Sequence, residues 1–289
     1  MNYGISYQGS KSKIARELCK IFPSEENFYD LFGGGFSVTH AMLIHRKKAF
    51  KNFYFNEIRD GVCRLIKDAI EGKYNYENFK PEFITRDRFF KEKDVNPYVK
   101  LIWSFGNNGK TYLFGKSIEK QKESLHNAVI FNKFDSFAKS KLKINKFSDK
   151  LTFKEKRLYV RRAIRLQQLQ QLQRLEQLQR LEQLERLEFS QSSYEKINIK
   201  KNSIVYCDIP YQNTEKYDGN ILFNHKVFFD WADNLNNPVF ISEYKIEDKR
   251  FKLLTGQTKK SLYSPDKSRC VDKNELIYIN KFAQKKYCL

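Results

Sequence analysis

Two strand-like segments near the N-terminus are each followed at once by a segment with helical spacing, and this arrangement restricts the possible folds most. Residues 27–32, NFYDLF, run into a triple glycine at 33–35 and then into SVTHAMLIHRKKAF, whose apolar positions recur with helical spacing. The strand-like NFYF at 52–55 ends beside Glu57 and leads into IRDGVCRLIKDAI. Strands that alternate with helices form parallel sheets. The sequence therefore predicts an α/β fold.

The alternation stops in the middle of the chain and resumes near its end. Residues 75–155 are basic, aromatic and broken by glycines, which indicates a separate subdomain. Four strand patterns follow later, at 203–208, 238–244, 251–255 and 275–282. Between the first two of these, HKVFFDWADNL has the spacing of a helix. The predicted divisions of the chain are two parts of one α/β domain at 1–74 and 191–289, the subdomain at 75–155 and a helical insertion at 156–190.

A low-complexity repeat lies within this predicted insertion. In residues 165–188, RLQQLQQLQRLEQLQRLEQLERLE, leucine recurs at every third position from Leu166 to Leu187. Because an α-helix has 3.6 residues per turn, this period turns the leucine stripe by about 60° per step and around the helix in roughly 18 residues. The composition favours a helix. The open alternative is a spacer without a catalytic or base-reading role, although its glutamines and arginines could touch a nucleic-acid backbone.

The charge of the chain indicates the class of its partner. Lys and Arg number 54 against 34 Asp and Glu, which gives a formal net charge of +20. The excess is spread along the chain and favours a polyanion such as nucleic acid as the partner. A basic protein without such a partner is the alternative.

The cysteines and histidines give no sign of a metal centre or a disulfide framework. The five cysteines form no CxxC pair and the four histidines are scattered. No segment reaches the ~18 apolar residues of a membrane span, and the N-terminus lacks an apolar leader. We therefore expect a reducing, cytoplasmic compartment, with no metal and no membrane.

The glycine turn after the first strand is a candidate ligand loop. Asp30 precedes the glycines at 33–35, so that backbone amides and a helix N-terminus can approach a ligand closely. Glu57, at the end of the second strand, is placed to accept hydrogen bonds from ribose hydroxyls. The pair indicates a nucleotide-type ligand, with an ordinary tight turn as the alternative.

A second candidate site follows the strand SIVYCD. Asp208 lies at the carboxyl end of this strand, where ligands bind in open parallel sheets. Its carboxylate can accept hydrogen bonds from an exocyclic amine, and Tyr211 offers a face for stacking an unstacked base. A strand-ending turn is the alternative, because Asp and Pro are common in turns. Cys207 is interpreted as a buried strand residue, since no base that would activate it is evident.

Together these motifs resemble the Dam-like, D12 class of adenine-N6 DNA methyltransferases, which use S-adenosyl-L-methionine. Residues 7–11 are similar to its N-terminal aromatic-x-Gly-Gly-Lys motif, and residues 30–35 to its acidic-x-Phe-x-Gly loop. Residues 106–116 look like its target-recognition stretch, and residues 208–211 like its Asp-Pro-Pro-Tyr tetrad. The resemblance covers nearly the whole chain. It implies a Rossmann-like methyltransferase sheet with helices on both faces and an inserted, mainly helical target-recognition subdomain.

The resemblance also implies roles for individual residues. The implied catalytic residues are Asp208, Ile209, Pro210 and Tyr211. The implied cofactor-binding residues are Tyr7, Gly9, Lys11, Asp30, Phe32, Gly33, Gly34, Gly35, Glu57, Ser193, Tyr194 and Asp208. The implied DNA-binding residues are Asn107, Asn108, Lys110, Tyr112 and Lys116.

Three positions depart from the pattern of that class. Phe36 stands where the class usually has glycine, and Ser193 stands where an acid often contacts the cofactor adenine. Ile209 replaces the first proline of the tetrad. At that position the mechanism needs a main-chain carbonyl in a fixed direction. Because Ile209 precedes Pro210, its backbone is already restricted to the extended region, and we expect an active enzyme.

The implied reaction is a direct, in-line methyl transfer to N6 of an adenine flipped out of a specific site in double-stranded DNA, by a monomer. Asp208 and the main-chain carbonyl of Ile209 would hold the amine. Asp208 favours adenine, since cytosine-N4 enzymes generally have serine there. Cytosine-N4 transfer and a catalytically silent DNA-binding homologue remain alternatives. Restriction-modification and protection of a phage genome are both compatible roles, and the repeat resembles a phage-type branch.

Overall fold

The chain forms two compact units in the computed structural model, which describes residues 2–76, 79–179, 181, 184–211, 223–260 and 272–288. The first unit comprises Met1–Tyr3, Gly9–Arg59 and Glu182–Leu289, and the second comprises Gly4–Gln8 and Asp60–Leu181. The second unit thus begins earlier than the predicted subdomain at 75–155 and includes most of the repeat.

One seven-stranded sheet organises the first unit, with the strand order β3-β2-β1-β4-β5-β7-β6. The strands are β1 (Asn27–Asp30), β2 (Asn52–Asn56), β3 (Leu187–Ser190), β4 (Ser203–Asp208), β5 (Val239–Glu243), β6 (Lys252–Lys260) and β7 (Asp272–Ile279). β1 to β5 run parallel, and β7 is antiparallel to both β5 and β6. The prediction of an α/β fold is confirmed.

The central strands are the apolar runs that the sequence showed. Every residue of β1 and β5 is buried, as is typical of parallel strands covered on both faces. The flanking helices of this unit are α1 (Ala15–Ile21), α2 (Ser37–His45), α10 (His225–Asn234) and α11 (Lys281–Tyr287). β1 pairs with β2 on one side and β4 on the other, so the strand order reverses there. Ligands of open sheets bind beyond the carboxyl ends of the strands at such a point.

The second unit is mainly helical. Its helices are α3 (Val62–Ile70), α4 (Arg86–Glu92), α5 (Pro97–Ile102), α6 (Glu119–Phe131), α7 (Ser136–Leu142), α8 (Phe153–Ala163) and α9 (Gln167–Leu178). Short polar side chains begin several of them by accepting hydrogen bonds from first-turn amides, which stabilises a helix start. The accepting residues are Thr85, Asn96, Asp135 and Thr152. No helix among the described residues of either unit has the length and apolar character needed to span a membrane.

The repeat divides between a helix and the sheet. The helix predicted over 165–188 ends at Leu178, and the edge strand β3 begins at Leu187. Four successive leucines of α9, from Leu169 to Leu178, are buried although they cover about half the helix circumference. This is possible because α3, α5 and α8 all pack against α9. The repeat therefore supplies core to the second unit, where a spacer would be solvated.

Candidate active site

The glycine turn after β1 is held by the end of β2. Gly33 N donates a hydrogen bond to Asn56 O at 2.9 Å, and Gly34 N donates to Glu57 Oε2 at 2.8 Å. A Cβ atom on Gly33 would lie 2.0 Å from the ring of Phe55. Only glycine permits this close approach, so the turn is fixed by the side chains of the neighbouring strand.

Phe36 explains why a glycine is usual at its position in the class that the sequence resembles. Its φ of 67° is left-handed, which costs a residue with a side chain about 1 to 2 kcal/mol. Its ring is fully buried and lies edge-on to Phe55 with 5.0 Å between ring centres. Burial of an aromatic ring stabilises by about 1.5 to 3 kcal/mol, enough to offset the strain. The turn, including the buried Gly35, thus keeps the backbone shape that glycine would give it.

Asp30 is the buried acid at the carboxyl end of β1. Its Oδ2 accepts a hydrogen bond from Thr39 Oγ1 at 2.7 Å, while its Oδ1 is buried without a hydrogen-bond partner among the described residues. Burial raises the pKa of Asp30 to about 7, and the negative charges of Asp208 and Glu57 contribute in the same direction. An unpartnered carboxylate oxygen at this place suits a ligand that brings a donor.

Glu57 is buried at the end of β2 and shapes the turn directly. One carboxylate oxygen accepts from Gly34 N, and the other accepts from Arg59 N at 2.9 Å. A carboxylate offers about four lone-pair sites, so these contacts leave room for ribose hydroxyls. The residue therefore has a structural role that is compatible with the predicted one.

An aromatic cluster lies beside the segment after β3. The ring of Tyr194 is 5.4 Å from that of Phe32 and 4.8 Å from that of Trp231, and Phe223 packs against both Phe32 and Tyr194. Ser193 is half-buried and accepts a hydrogen bond through its main-chain oxygen. The cluster places the predicted Phe32 and Tyr194 together in one apolar wall.

Lys11 lies between two acids. Its Nζ is 2.6 Å from Asp208 Oδ1 and 2.6 Å from Glu275 Oε1, and a third contact reaches Gly9 O at 3.4 Å. Burial acts to lower the pKa of Lys11, but the two carboxylates outweigh it and raise that pKa above its ordinary value. All three ammonium donors are thus directed within the protein. This geometry favours a role beside Asp208 over the predicted contact with the methionine part of the cofactor.

The tetrad at the end of β4 is anchored at each residue. Asp208 is partly exposed, while the side chain of Ile209 is 2% exposed in the sheet core. Pro210 O accepts a hydrogen bond from His225 Nε2 at 2.8 Å. The Tyr211 ring packs edge-on against another tyrosine, with Lys11 Nζ 4.9 Å from its ring centre. Asp208 and Tyr211 are the residues of the tetrad whose polar side chains are partly exposed.

Glu275 was missed by the sequence reasoning. It is 2% exposed on β7, accepts hydrogen bonds from Lys11 and from the Tyr211 hydroxyl, and accepts one from Ser242 Oγ at 3.1 Å. The antiparallel register pairs Glu243, the last residue of β5, with Leu276. Glu275 therefore lies at the edge formed by the carboxyl ends of the parallel strands, together with Asp208.

Most of the predicted site residues come from this one edge of the first unit. The carboxyl ends of β1, β2 and β4 carry the acids Asp30, Glu57 and Asp208, respectively, and the glycine turn follows the first of these. Ser10 Oγ is 2.8 Å from Ser37 Oγ, which ties the N-terminal Gly-Ser-Lys motif to the first turn of α2. Tyr7 is half-buried in the segment Gly4–Gln8, which belongs to the second unit.

A family model for D12 class N6 adenine-specific DNA methyltransferases matches residues 7–272 of this chain. The chain belongs to that family. The resemblance inferred from the motifs is confirmed, and the sheet is that of a Rossmann-like methyltransferase. The activity of the protein is adenine-specific DNA methylation, the class EC 2.1.1.72. No curated protein matches the chain.

The target-recognition stretch of this methyltransferase forms a hairpin in the second unit. Ser104 and Tyr112 pair antiparallel, and the turn between them contains positive φ angles at Gly106, Asn107 and Gly109. Asparagine and glycine are the residues that tolerate this conformation best. The backbone of the turn therefore accounts for the glycine and asparagine residues of this motif.

The predicted DNA-binding residues on this hairpin separate into buried and accessible ones. Asn107 is buried, and its Nδ2 donates to Leu101 O at 2.6 Å and to Gln171 Oε1 of α9 at 2.7 Å. Tyr112 is also buried, and its hydroxyl donates to Ile84 O at 2.6 Å. These partners give both side chains a structural role and are at odds with base contact. The accessible side chains at this hairpin include those of Phe105, Asn108, Lys110, Thr111 and Lys116.

Proposed function

We propose that this methyltransferase transfers a methyl group from S-adenosyl-L-methionine to N6 of an adenine that has been rotated out of duplex DNA. Asp208 and the main-chain carbonyl of Ile209 accept hydrogen bonds from the target amine. The observation that carries the proposal is the contact of one ammonium, that of Lys11, with two carboxylates, those of Asp208 and Glu275, at the carboxyl edge of the sheet. Ligand chemistry in α/β sheets takes place at this edge.

The cofactor is held by the elements after β1 and β2. The unpartnered Oδ1 of Asp30 fits an amino group, and the glycine turn fits a ligand that approaches the backbone closely. Glu57 accepts hydrogen bonds from the ribose, and the wall of Phe32 and Tyr194, next to Ser193, covers the adenine ring. When bound, the cofactor supplies an electrophilic sulfonium methyl group. Gly9, in the same unit, belongs to the predicted set.

Asp208 acts on the geometry of the target nitrogen. The lone pair of an adenine amine is delocalised into the ring, so the free amine is a weak nucleophile. Hydrogen bonds to Asp208 and to the Ile209 carbonyl favour a more tetrahedral nitrogen whose lone pair is available. Holding two reacting groups in line supplies up to about 7 to 11 kcal/mol in well-arranged systems. Tyr211 stacks on the extruded base.

Lys11 and Glu275 are positioning residues in this proposal. Lys11 fixes Asp208 through one oxygen, and a carboxylate retains lone pairs for the amine. Glu275 shares the lysine charge, so the ammonium does not neutralise Asp208 alone, and it also fixes the Tyr211 hydroxyl. Replacing Glu275 with glutamine is expected to lower kcat by about 10²-fold, the scale of a misplaced catalytic group, with little change in cofactor affinity.

The hairpin of the second unit contacts the DNA. Lys110 and Lys116 are exposed and suit phosphate contacts. Asn108 is half-buried and its side chain bonds within the turn to Lys110 N, Thr111 N and Thr111 Oγ1, so its second amide hydrogen is the donor left for a base edge. Phe105 is 65% exposed at the same turn. An exposed aromatic ring can fill the gap that a rotated base leaves, a role that the buried Tyr112 cannot serve.

The test is transfer of a radiolabelled methyl group to duplex DNA by the full chain. Asp208→Asn, which keeps the side-chain shape, is expected to lose transfer by about 10³-fold or more, since Asp208 touches the reacting amine. Glu188→Gln is the matched control, because Glu188 is an exposed acid on the edge strand of the same sheet. Transfer by Asp208→Asn at the wild-type rate would remove Asp208 from the reaction.

A further inference from the structure

Four cations of the second unit lie around one arginine, Arg165. Lys122 of α6 donates a hydrogen bond from Nζ to the main-chain oxygen of Arg165, which lies between α8 and α9. Arg165 Nη2 donates to Gln170 Oε1 of α9 at 3.1 Å. Three further arginines lie on the two helices that flank this segment. We call the set of Lys122, Arg157, Arg161, Arg165 and Arg174 the Arg165 cluster.

The members of the cluster are close enough to repel one another. Burial lowers the pKa of Lys122, and the positive charge of Arg165 lowers it further. Burial also lowers the pKa of Arg174, with the charge of Arg165 adding to it, and burial lowers the pKa of Arg157, with the charges of Arg161 and then Arg165 adding to it. All three thus lie within electrostatic range of Arg165. Like charges about 4 Å apart near a protein surface repel by roughly 4 kcal/mol, and by about 1 kcal/mol in bulk water.

The described residues provide no acid to balance this charge. Between residues that the structure describes, no salt bridge involves any of the five cations, and the Nε atoms of Arg157 and Arg174 are buried without a hydrogen-bond partner. Glu155, the acid on α8, accepts hydrogen bonds from Thr152 N and Oγ1 at the start of that helix.

A partly buried group of cations without acids is a site that an anion completes. Guanidinium groups present paired donors that match phosphate oxygens, and four of the five cations are arginines. Residues 133–165, which contain three of them, hold twelve Lys and Arg against three Asp and Glu. Arg161 and Arg165 are exposed. A surface this extended and open suits a polymer of phosphates better than a single small anion.

We infer that the Arg165 cluster binds the phosphate backbone of duplex DNA independently of the cofactor and of the base sequence. The inference rests on the proposed function for the identity of the polymer. None of the five cations lies in a motif that the family resemblance singled out. In this account the repeat supplies two phosphate-binding arginines, Arg165 at its first position and Arg174 on α9. Gln170, also in the repeat, holds the Arg165 guanidinium.

The test is the salt dependence of DNA binding by the full chain without cofactor. Arg165→Gln is the variant of choice, because the side chain is exposed and its removal leaves the core intact. Lys91→Gln is the matched control, since Lys91 is an exposed cation on α4 outside the cluster. Binding to a fluorescent duplex is followed by anisotropy between about 50 and 200 mM salt, the range over which phosphate contacts are weakened strongly.

We expect Arg165→Gln to bind about tenfold more weakly at the lower salt concentration and to lower the slope of log K against log salt by about one. The DNA affinity of Lys91→Gln should stay within about twofold of that of the wild type. Salt largely screens a charge that lies more than about 10 Å from the DNA. Unchanged binding by Arg165→Gln, or an equal loss in Lys91→Gln, would overturn the inference. Methyl transfer does not enter this measurement, so failure of the proposed reaction would leave its result unaffected.

A second arm separates DNA from a free phosphate ligand. The melting temperatures of the wild type and Arg165→Gln are compared in inorganic phosphate and in chloride at equal ionic strength. Stabilisation by phosphate that Arg165→Gln loses, combined with wild-type DNA affinity and slope in that variant, would assign the cluster to a small anion and contradict the DNA inference. Loss of both responses supports it.

Discussion

The two units of this methyltransferase differ in whether their buried cations have acid partners. In the first unit, Lys11 contacts Asp208 and Glu275 at 2.6 Å each, and the acids raise its pKa. In the second unit, the Arg165 cluster has no acid partner among the described residues, and burial with mutual repulsion lowers the pKa of Lys122. The cation of the first site is paired with acids of the same chain, and the cations of the second site are not paired with any described acid.

This difference matches what each site has to accept. The target amine of adenine is neutral, so a site for it must orient hydrogen bonds without a large uncompensated charge, and an internally paired lysine provides that. A phosphate backbone carries one charge per nucleotide, so unpaired cations suit it. The comparison predicts that removing one cation lowers the free energy of unfolding in the first unit and leaves it equal or raises it in the second.

The largest effect is expected for Lys11→Met. Breaking a buried ion pair on one side costs about 3 to 5 kcal/mol, because the remaining carboxylates are left without compensation. The free energy of unfolding should fall by this amount, and transfer should fall by about 10²-fold as Asp208 loses its support. The control is Lys20→Met, since Lys20 also lies 2.6 Å from an acid, Glu17, but both are largely exposed. An exposed pair contributes about 0 to 1 kcal/mol. Equal losses in the two variants would contradict the account.

A smaller effect on stability is expected for Asp30 and depends on pH. Burial raises its pKa from 3.8 to about 7, so the folded protein retains a proton that the unfolded chain releases. The resulting stabilisation is present below about pH 4 and is lost as pH rises towards 7, a change on the order of 4 kcal/mol. Asp30→Asn cannot titrate, so its stability should fall less over this range than that of the wild type. Chemical unfolding at a series of pH values measures this, and parallel pH profiles would exclude the burial effect.

The opposite sign is expected for Arg165→Gln. Removing one member of a group of like charges relieves repulsion, so the free energy of unfolding should stay equal or rise by up to about 1 kcal/mol at low salt. The gain should shrink as added salt screens the charges. Thermal melting without DNA at two salt concentrations measures it. If Arg165→Gln destabilised the protein as much as Lys11→Met does, the proposed difference between the two units would be contradicted.

The smallest effect on activity is expected for Ile209→Pro. The carbonyl at this position is needed in a fixed direction, and both residues hold the backbone extended before Pro210. Transfer should therefore change by less than about threefold, while stability falls by about 1 to 2 kcal/mol because a buried aliphatic side chain is lost. Steady-state kinetics and melting of the variant check both. A large fall in kcat with normal stability would show that the isoleucine side chain itself is required.

The parts of the fold that follow from local pattern were predicted well from the sequence. Strand β4 is an apolar run that ends in an acid, and β1 also ends in an acid and is followed, after the glycine turn, by the predicted helix α2. β3 escaped notice because it begins inside the leucine repeat, where composition favours a helix. The repeat's helix was expected, but its burial was not, since neighbours on several sides are a property of the tertiary structure.

The parts of the site that depend on distant residues were not predictable in this way. Glu275 contacts Tyr211 across 64 residues of sequence and lies in a strand whose pattern shows only alternation. Its position follows from the antiparallel pairing of β7 with β5, which no local motif encodes. The burial of Asn107 and Tyr112 was not predictable either. Which side of a hairpin is buried depends on the helices that pack against it, and some of these are distant in sequence.

The most direct test of the central claim identifies the methylated base and its dependence on Asp208 together. Duplex DNA is incubated with S-adenosyl-L-methionine and either the wild type or Asp208→Asn, and the digested nucleosides are analysed by mass spectrometry. The account predicts N6-methyladenine with the wild type and none above background with the variant, while both proteins bind the duplex equally. N4-methylcytosine in place of N6-methyladenine, or equal yields of N6-methyladenine from the two proteins, would contradict it.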